Sequence, residues 1–274
     1  MKQKNCLNLI QKPLLALALT AGTAFAGTTE PAPITPAPEK DVVSGVLNLD
    51  LNSHFISYGA DVWADGDSFS EPTFNPSIEL AFALPADFTF TLGTWWDVNS
   101  KAGGNSSPLG GRIQEVDVWA GLAYTAGKFT TKVVYQNWMY GSDTEDILDV
   151  VFSYDTFLSP SLTIHNRLDQ GAAAGDEGTV LVLGLSHSIE AGPVTISFPF
   201  NVAYFATDDF HGGDSGFGYG SIGVTASYDL AFLKSVGDWS IHGGLTYYVT
   251  DQEVIPGNEE GDFLTANVGL TLKF

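Results

Sequence analysis

From Val43 to Phe274, apolar and polar residues alternate in one short segment after another. The last segment is the clearest case. Leu264, Ala266, Val268, Leu270, Leu272 and Phe274 share one parity, and Thr265, Asn267, Gly269, Thr271 and Lys273 share the other. Successive side chains of a strand point to opposite faces, so each such segment has one greasy face and one polar face. Any fold built from these strands must find an apolar environment for a greasy face that recurs along the whole chain.

The alternation predicts strands over 43–56, 77–84, 88–98, 114–124, 129–140, 148–155, 162–169, 179–189, 194–204, 221–230, 239–249 and 263–274, twelve in all. Segment 179–189 begins apolar on both parities, so its register stays open. The connections fall into two classes. Short turns follow every second strand: 85–87, 125–128, 156–161, 190–193 and 231–238. Longer connections rich in Gly and acid alternate with them: 59–76, 99–113, 170–178, 206–220 and 250–262, with 141–147 the modest member. Short turns at one end and long loops at the other are the pattern of a transmembrane barrel.

A strand in lipid cannot leave its N–H and C=O groups unpaired, so the sheet must close on itself. A charge on the lipid face costs about 2–4 kcal/mol at mid-depth. The apolar parity of the predicted segments carries essentially no Lys, Arg, Asp or Glu. Aromatics gather at segment ends, where they ring the two interfaces of a membrane. Tyr124, Phe129, Phe157, Phe198, Tyr228, Trp239 and Phe274 fall at one set of ends, and Phe55, Trp96, Tyr140, Tyr204 and Tyr247 at the other. A secreted sandwich would need polar outward faces. The expected fold is therefore all-β, a single transmembrane antiparallel up-and-down β-barrel of about twelve strands in a bacterial outer membrane. An even count puts both termini in the periplasm.

The N-terminus carries the matching address. Lys2, Lys4 and Lys12 precede an apolar stretch over 14–20, and Ala24-Phe25-Ala26 is an A-x-A cleavage site. The expected organisation is a signal peptide at 1–26, a proline-rich periplasmic arm at 27–40 that reads as a linker, and the barrel at 41–274. Cys6, the one cysteine, lies within the leader, so no disulfide or thiolate chemistry is expected in the mature chain. No other apolar run reaches the length of a membrane-spanning helix. The formal charge of −21 becomes more negative once three leader lysines are removed. Nucleic acid needs a basic footprint and is excluded as a partner.

The polar parity carries Asp50, Glu79, Asp97, Asp117, Asp149, Lys132, Arg167, His165 and His242, which are expected to line the lumen. An acid-rich lumen favours cations or neutral solutes. The expected function is a channel for passive diffusion of small polar solutes or ions. The alternative is a non-conducting structural or adhesion barrel with acidic surface loops, in which the same residues pair off and fill a narrow bore. The loop acids Asp61, Asp65, Asp67 and Glu71, then Asp208, Asp209 and Asp214 with His211, then Asp251, Glu253, Glu259, Glu260 and Asp262, lack the spacing of a dedicated calcium loop and read as solvated surface. A lipid hydrolase would need a Ser–His pair facing lipid. His187 and Ser188 are adjacent and so point to opposite faces, and Gly-x-Ser-x-Gly is absent. No enzyme activity, cofactor or metal is expected. The expected partners are outer-membrane lipid and lipopolysaccharide, the barrel assembly machinery and small polar solutes.

Two resemblances narrow the reading. The last eight residues resemble the C-terminal recognition signal of outer-membrane barrels, with Asn267, Gly269, Leu272 and Phe274 at its defining places. This implies a role for these four in assembly. Val46-Leu47-Asn48-Leu49-Asp50-Leu51-Asn52-Ser53-His54-Phe55, followed by Ile56-Ser57-Tyr58-Gly59, is similar to the first strand of the TorF-like porins. Glu115-Val116-Asp117-Val118-Trp119-Ala120-Gly121-Leu122-Ala123-Tyr124 looks like that family's acidic alternating strand. Ile56-Ser57 stands where that family carries Arg-Gly. The resemblance implies a porin-like barrel and leaves the substrate open.

Overall fold

The computed structural model describes residues 42–63, 71–101, 112–140, 143–170 and 175–274. The expected leader and proline-rich arm lie outside these residues, as do Asp65 and Asp67. The strands are β1 (Val43–Asn52), β2 (Ile56–Ser57), β3 (Ala60–Asp61), β4 (Thr73–Leu84), β5 (Phe88–Val98), β6 (Ile113–Ala126) and β7 (Phe129–Tyr140). They continue as β8 (Asp143–Tyr154), β9 (Ser161–Arg167), β10 (Gly178–Ala191), β11 (Val194–Phe205), β12 (Gly216–Asp229), β13 (Asp238–Thr250) and β14 (Asp262–Lys273). β2 and β3 form a small separate hairpin. The other twelve make one closed antiparallel barrel in which each strand pairs with its chain neighbours and β1 closes against β14.

Three strands start earlier than the alternation indicated, at Thr73, Asp143 and Gly216. β4 runs through Pro76 and β11 through Pro199. The ladders skip there, from Phe74 to Ser77 against β5 and from Ser197 to Phe200 against β12. The missing proline donor is thus not called upon. β7 and β8 pair up to Tyr140 and Asp143, so the pairing reaches into the expected 141–147 connection. β1, in contrast, stops at Asn52 rather than 56. The Ser53 hydroxyl accepts the Ala266 N–H at 2.8 Å, which ends the pairing with β14 and turns the chain inward.

The outward parity is the expected greasy one. Leu51, Leu92, Val118, Leu122, Val133, Leu183, Ile222, Leu245, Leu264 and Val268 all stand exposed. Tyr124, Phe129, Tyr154, Phe198, Tyr228 and Phe274 ring the end that carries the short turns; Tyr135, Tyr204, Phe217 and Tyr247 ring the end that carries the long loops. The Tyr135 hydroxyl donates to Asp146 at 2.6 Å and the Tyr247 hydroxyl to Asp262 at 2.7 Å, which places the first outward carboxylates at that rim. An exposed apolar belt closed into a barrel and bordered by aromatics requires lipid around it. The protein is an outer-membrane β-barrel. Two expected members of the loop-end girdle are not in it. Phe55 is buried inside, because β1 has already ended. Tyr140 packs inward, because it shares parity with Trp138.

The seam is fastened on the outer face by the last residue. Gly45 donates its N–H to the Phe274 carbonyl at 2.6 Å, and Phe274 returns its N–H to Gly45 at 3.0 Å. The Phe274 ring lies where a side chain on residue 45 would stand.

Candidate functional site

Strands about 4.8 Å apart and tilted by about 40° put a twelve-stranded backbone on a cylinder of roughly 12 Å radius. In the half nearer the short turns the inward side chains include Thr89, Thr91, Thr130, Thr163, Ser197 and Ser240 beside Lys132 and His242, all buried. In the half nearer the long loops the lumen is filled by the loops themselves.

Three connections fold inward. The β2–β3 hairpin brings Ile56 and Tyr58, with Phe55 just before it. The β11–β12 connection brings Phe210, and the β13–β14 connection brings Val254 and Ile255. All six are buried. Ile56, Tyr58, Phe210, Val254 and Ile255 form one core with Trp138 of β7, Ile147 of β8, Val180 and Val182 of β10, Ala203 and Phe205 of β11, Tyr219 of β12 and Tyr248 of β13. Phe55 joins Trp95 of β5, Trp119 of β6 and Val134 of β7 in a second cluster, its ring 5.1 Å from Trp95. Apolar side chains therefore meet across the bore from β5 round to β13. This settles the register of β10: Val180 and Val182 face inward and are apolar because they meet the loops rather than water.

The expected lumen residues all lie on the inward parity; Lys132 pairs with Glu79, His165 with Asp149 and His242 with Asp50, while Asp97, Asp117 and Arg167 meet other groups. Lys132 Nζ reaches Glu79 at 3.2 Å, and Trp119 Nε1 donates to the same carboxylate oxygen at 2.9 Å. Asp97 accepts from Trp63 at 3.0 Å, Asn75 at 3.1 Å, Asn99 at 2.8 Å and the Thr73 hydroxyl. Asp149 accepts from Gln136 at 2.6 Å and meets His165 Nδ1 at 2.7 Å. Asp50 meets His242 Nε2 at 2.7 Å. Asp117 lies between Trp95 and Trp138 in register, fully buried beside Glu115. Glu145, missed by a strand prediction that began at 148, accepts from Arg167 Nε at 2.9 Å.

Arg167 does more than pair. One guanidinium nitrogen donates to the Phe210 carbonyl at 2.7 Å and the Asp176 carbonyl at 3.2 Å, and its central carbon sits 3.9 Å over the Phe210 ring. The Tyr58 ring stacks on His165 at 3.9 Å. Burial and nearby Asp149 hold the Tyr58 phenol well above its ordinary value, so it stays neutral. Next to Phe210, His211 is pushed down to about 3 by burial and by the Arg167 charge.

Catalytic and metal arrangements find no support among the described residues. Ser188 Oγ is 2.7 Å from Ser197 Oγ, while His187 Nδ1 meets the Phe157 carbonyl. A second adjacent pair, Ser53 and His54, is hydrogen bonded at 2.7 Å with Asp61 4.0 Å beyond. The Ser53 hydroxyl already accepts the Ala266 N–H and lies 3% exposed beneath the loops. Among the described residues no group of three or more His, Cys, Asp or Glu is arranged to hold a metal ion. The Asp208 carboxylate instead accepts the Ser215 N–H at 2.8 Å, which holds it below its ordinary range.

No family model matches the chain, and no curated protein matches it in sequence. In fold it is similar to solved outer-membrane proteins. The NanC porin is 10% identical, over 83% of this chain and 100% of that one, with a TM-score of 0.48. The KdgM porin, solved in complex with disordered oligogalacturonate, is 10% identical over 84% of this chain and 99% of its own, with a TM-score of 0.46. The translocator domain of the autotransporter NalP from Neisseria meningitidis is 13% identical over 85% and 88%, with a TM-score of 0.45. Identities this low speak to the barrel fold alone.

Proposed function

We propose that this chain is a porin-like channel with its long loops outside and both termini periplasmic, and that its passage is acid-lined and closed at rest by the inward-folded loops. One observation carries the reading: Ile56, Tyr58, Phe210, Val254 and Ile255, from three connections, are packed inside the bore in one core with wall residues of β7, β8 and β10 to β13. Asp50, Glu79, Asp97, Glu115, Asp117, Glu145 and Asp149 face inward against Lys132 and Arg167 over the same stretch. A wall of that balance passes cations and neutral polar solutes in preference to anions. The TorF-like resemblance belongs to the same reading.

The experiment compares the full chain with a variant in which residues 55–61 are replaced by a short Gly-Ser linker, each in planar bilayers in KCl. The trimmed barrel is expected to give steady cation-selective current, and the full chain only rare openings. A trimmed barrel that folds and carries no current would overturn the channel reading. It would favour the second one, a non-conducting barrel, which the apolar fill of the bore otherwise supports.

Asn267, Gly269, Leu272 and Phe274 serve in this reading as the assembly signal. Deleting Phe274 removes both the ring over Gly45 and the reciprocal hydrogen bonds at the seam. Export to the periplasm should be unchanged and the surface yield should fall at least tenfold, measured by surface labelling of cells. A normal surface yield would remove the role assigned to this residue.

A further inference from the structure

We propose that Arg167 is the latch of a displaceable plug: it holds the Phe210 segment and, through it, the β2–β3 hairpin inside the bore, and its release lets both leave towards the loop end. The proposal rests on the channel reading and adds its regulation.

The inserted segments are tied to one another. Asn258 donates from its side chain to the Gly59 carbonyl at 2.9 Å and accepts the Asp61 N–H at 2.8 Å. Asp214 donates its N–H to the Glu253 carbonyl at 2.8 Å, and Asp176 its N–H to the Asp209 carbonyl at 2.9 Å. The hairpin, the Phe210 connection and the β13–β14 connection therefore move as a linked set. Two charged wall residues attach to the set: Asp97 of β5 accepts from Trp63, just after the hairpin, at 3.0 Å, and Arg167 of β9 holds the Phe210 segment, reaching Glu145 on β8 and two loop carbonyls while covering the Phe210 ring. A guanidinium suits this junction because its planar fork can face a carboxylate and carbonyls at once while stacking on a ring; an ammonium cannot.

The tip of the seated hairpin is packed against the wall and the Phe210 segment. Tyr58, a non-glycine residue, has φ of 46°, and Gly59 beside it has φ of 83°. Such a turn persists where its surroundings over-determine it. Here the surroundings are the His165 ring under Tyr58 and Phe210 at its edge. Removing Phe210 from its seat removes one wall of the Tyr58 pocket, so the two segments are coupled.

The test reads open-time fraction in planar bilayers in KCl, with heat-modifiable gel mobility confirming that each barrel is folded. Arg167→Gln is expected to raise the open fraction at least tenfold, to the single-channel conductance of the trimmed barrel, and Arg167→Lys to raise it as well. A companion readout uses Ala203→Cys, a fully buried wall position in the plugged cluster. A maleimide should label it slowly in the otherwise native chain and at least tenfold faster with Arg167→Gln. If Arg167→Gln does not fold, Phe210→Ala keeps the Arg167–Glu145 pair and should give the same two changes. A folded Arg167→Gln or Phe210→Ala barrel with native open fraction and native labelling, beside a conducting trimmed barrel, overturns the latch and leaves the channel reading standing. A silent trimmed barrel overturns both.

Discussion

Gly269→Val is expected to prevent stable closure of the barrel. Gly269 sits on the inward face of β14, opposite Asp50 of β1 and His242 of β13. These two side chains meet above it at 2.7 Å, so a hydrogen bond spans the seam from the first strand to the thirteenth. A Cβ on residue 269 would run into Asp50 Oδ1 and stand 2.6 Å from His242 Nε2. Thr271 belongs to the same clasp, donating to Asn48 Oδ1 at 2.8 Å, with His242 Nδ1 3.2 Å away. Both members of the pair are buried, and leaving such groups without their partner costs about 1–3 kcal/mol each. That is a large share of the ~5–15 kcal/mol that holds a typical domain folded. Purified Gly269→Val refolded into detergent should lose heat-modifiable mobility, whereas Gly257→Val, where nothing stands within 4 Å, should keep it. Refolding without assembly machinery isolates the steric clash from any loss of recognition. Native mobility for Gly269→Val would show that the glycine is needed for recognition alone.

The clasp shows why some of this protein was legible in its sequence and some was not. Lipid disciplines every outward residue of the belt, so the alternation gave away twelve strands and the parity of Asp50, Glu79, Asp97, Asp117, Lys132, Asp149, His165, Arg167 and His242. Beyond the rim no lipid enforces the pattern. There Thr73–Pro76, Asp143–Asp146 and Gly216–Gly220 carry polar residues, proline and glycine, and three strand starts were misplaced accordingly. Parity also says nothing about what covers a residue. The plug comes from connections that have no period, and its residues Tyr58, Phe210 and Ile255 look like ordinary loop apolars. One signal was available. Trp95, Val134, Trp138, Ile147, Val180, Val182, Phe205 and Tyr219 are apolar on the inward parity, and a water-filled lumen would not keep them there. Nor does spacing in sequence reveal Glu145 with Arg167, or Ser53 with Ala266, since these depend on register between strands.

Acidification is expected to open the channel between about pH 6.5 and pH 4, and His211→Gln to abolish that response. His211 follows Phe210 in the plug, its ring 5.4 Å from Phe205 and 5.1 Å from Phe210, with Nε2 buried. The groups around it are Arg167 and His165 of β9, Glu145 and Asp149 of β8 bound to them, and Tyr58 of the hairpin. The ordinary histidine value is 6.5, and in the seated plug it falls to about 3. The seated form thus refuses a proton that the released form accepts. Above pH 6.5 both forms are neutral and the seating is unaffected. Below it the released form gains a proton, and seating weakens by about 1.4 kcal/mol per pH unit until the seated histidine also titrates near 3. Open-time fraction in planar bilayers should therefore rise at least tenfold from pH 7 to pH 5 for the full chain. His211→Gln keeps a polar side chain of similar size without a charge to gain, and should stay flat over that range. A His211→Gln channel that opened along the native pH curve would remove the role assigned to His211. Arg167→Gln should be open at both pH values, because its latch is already gone.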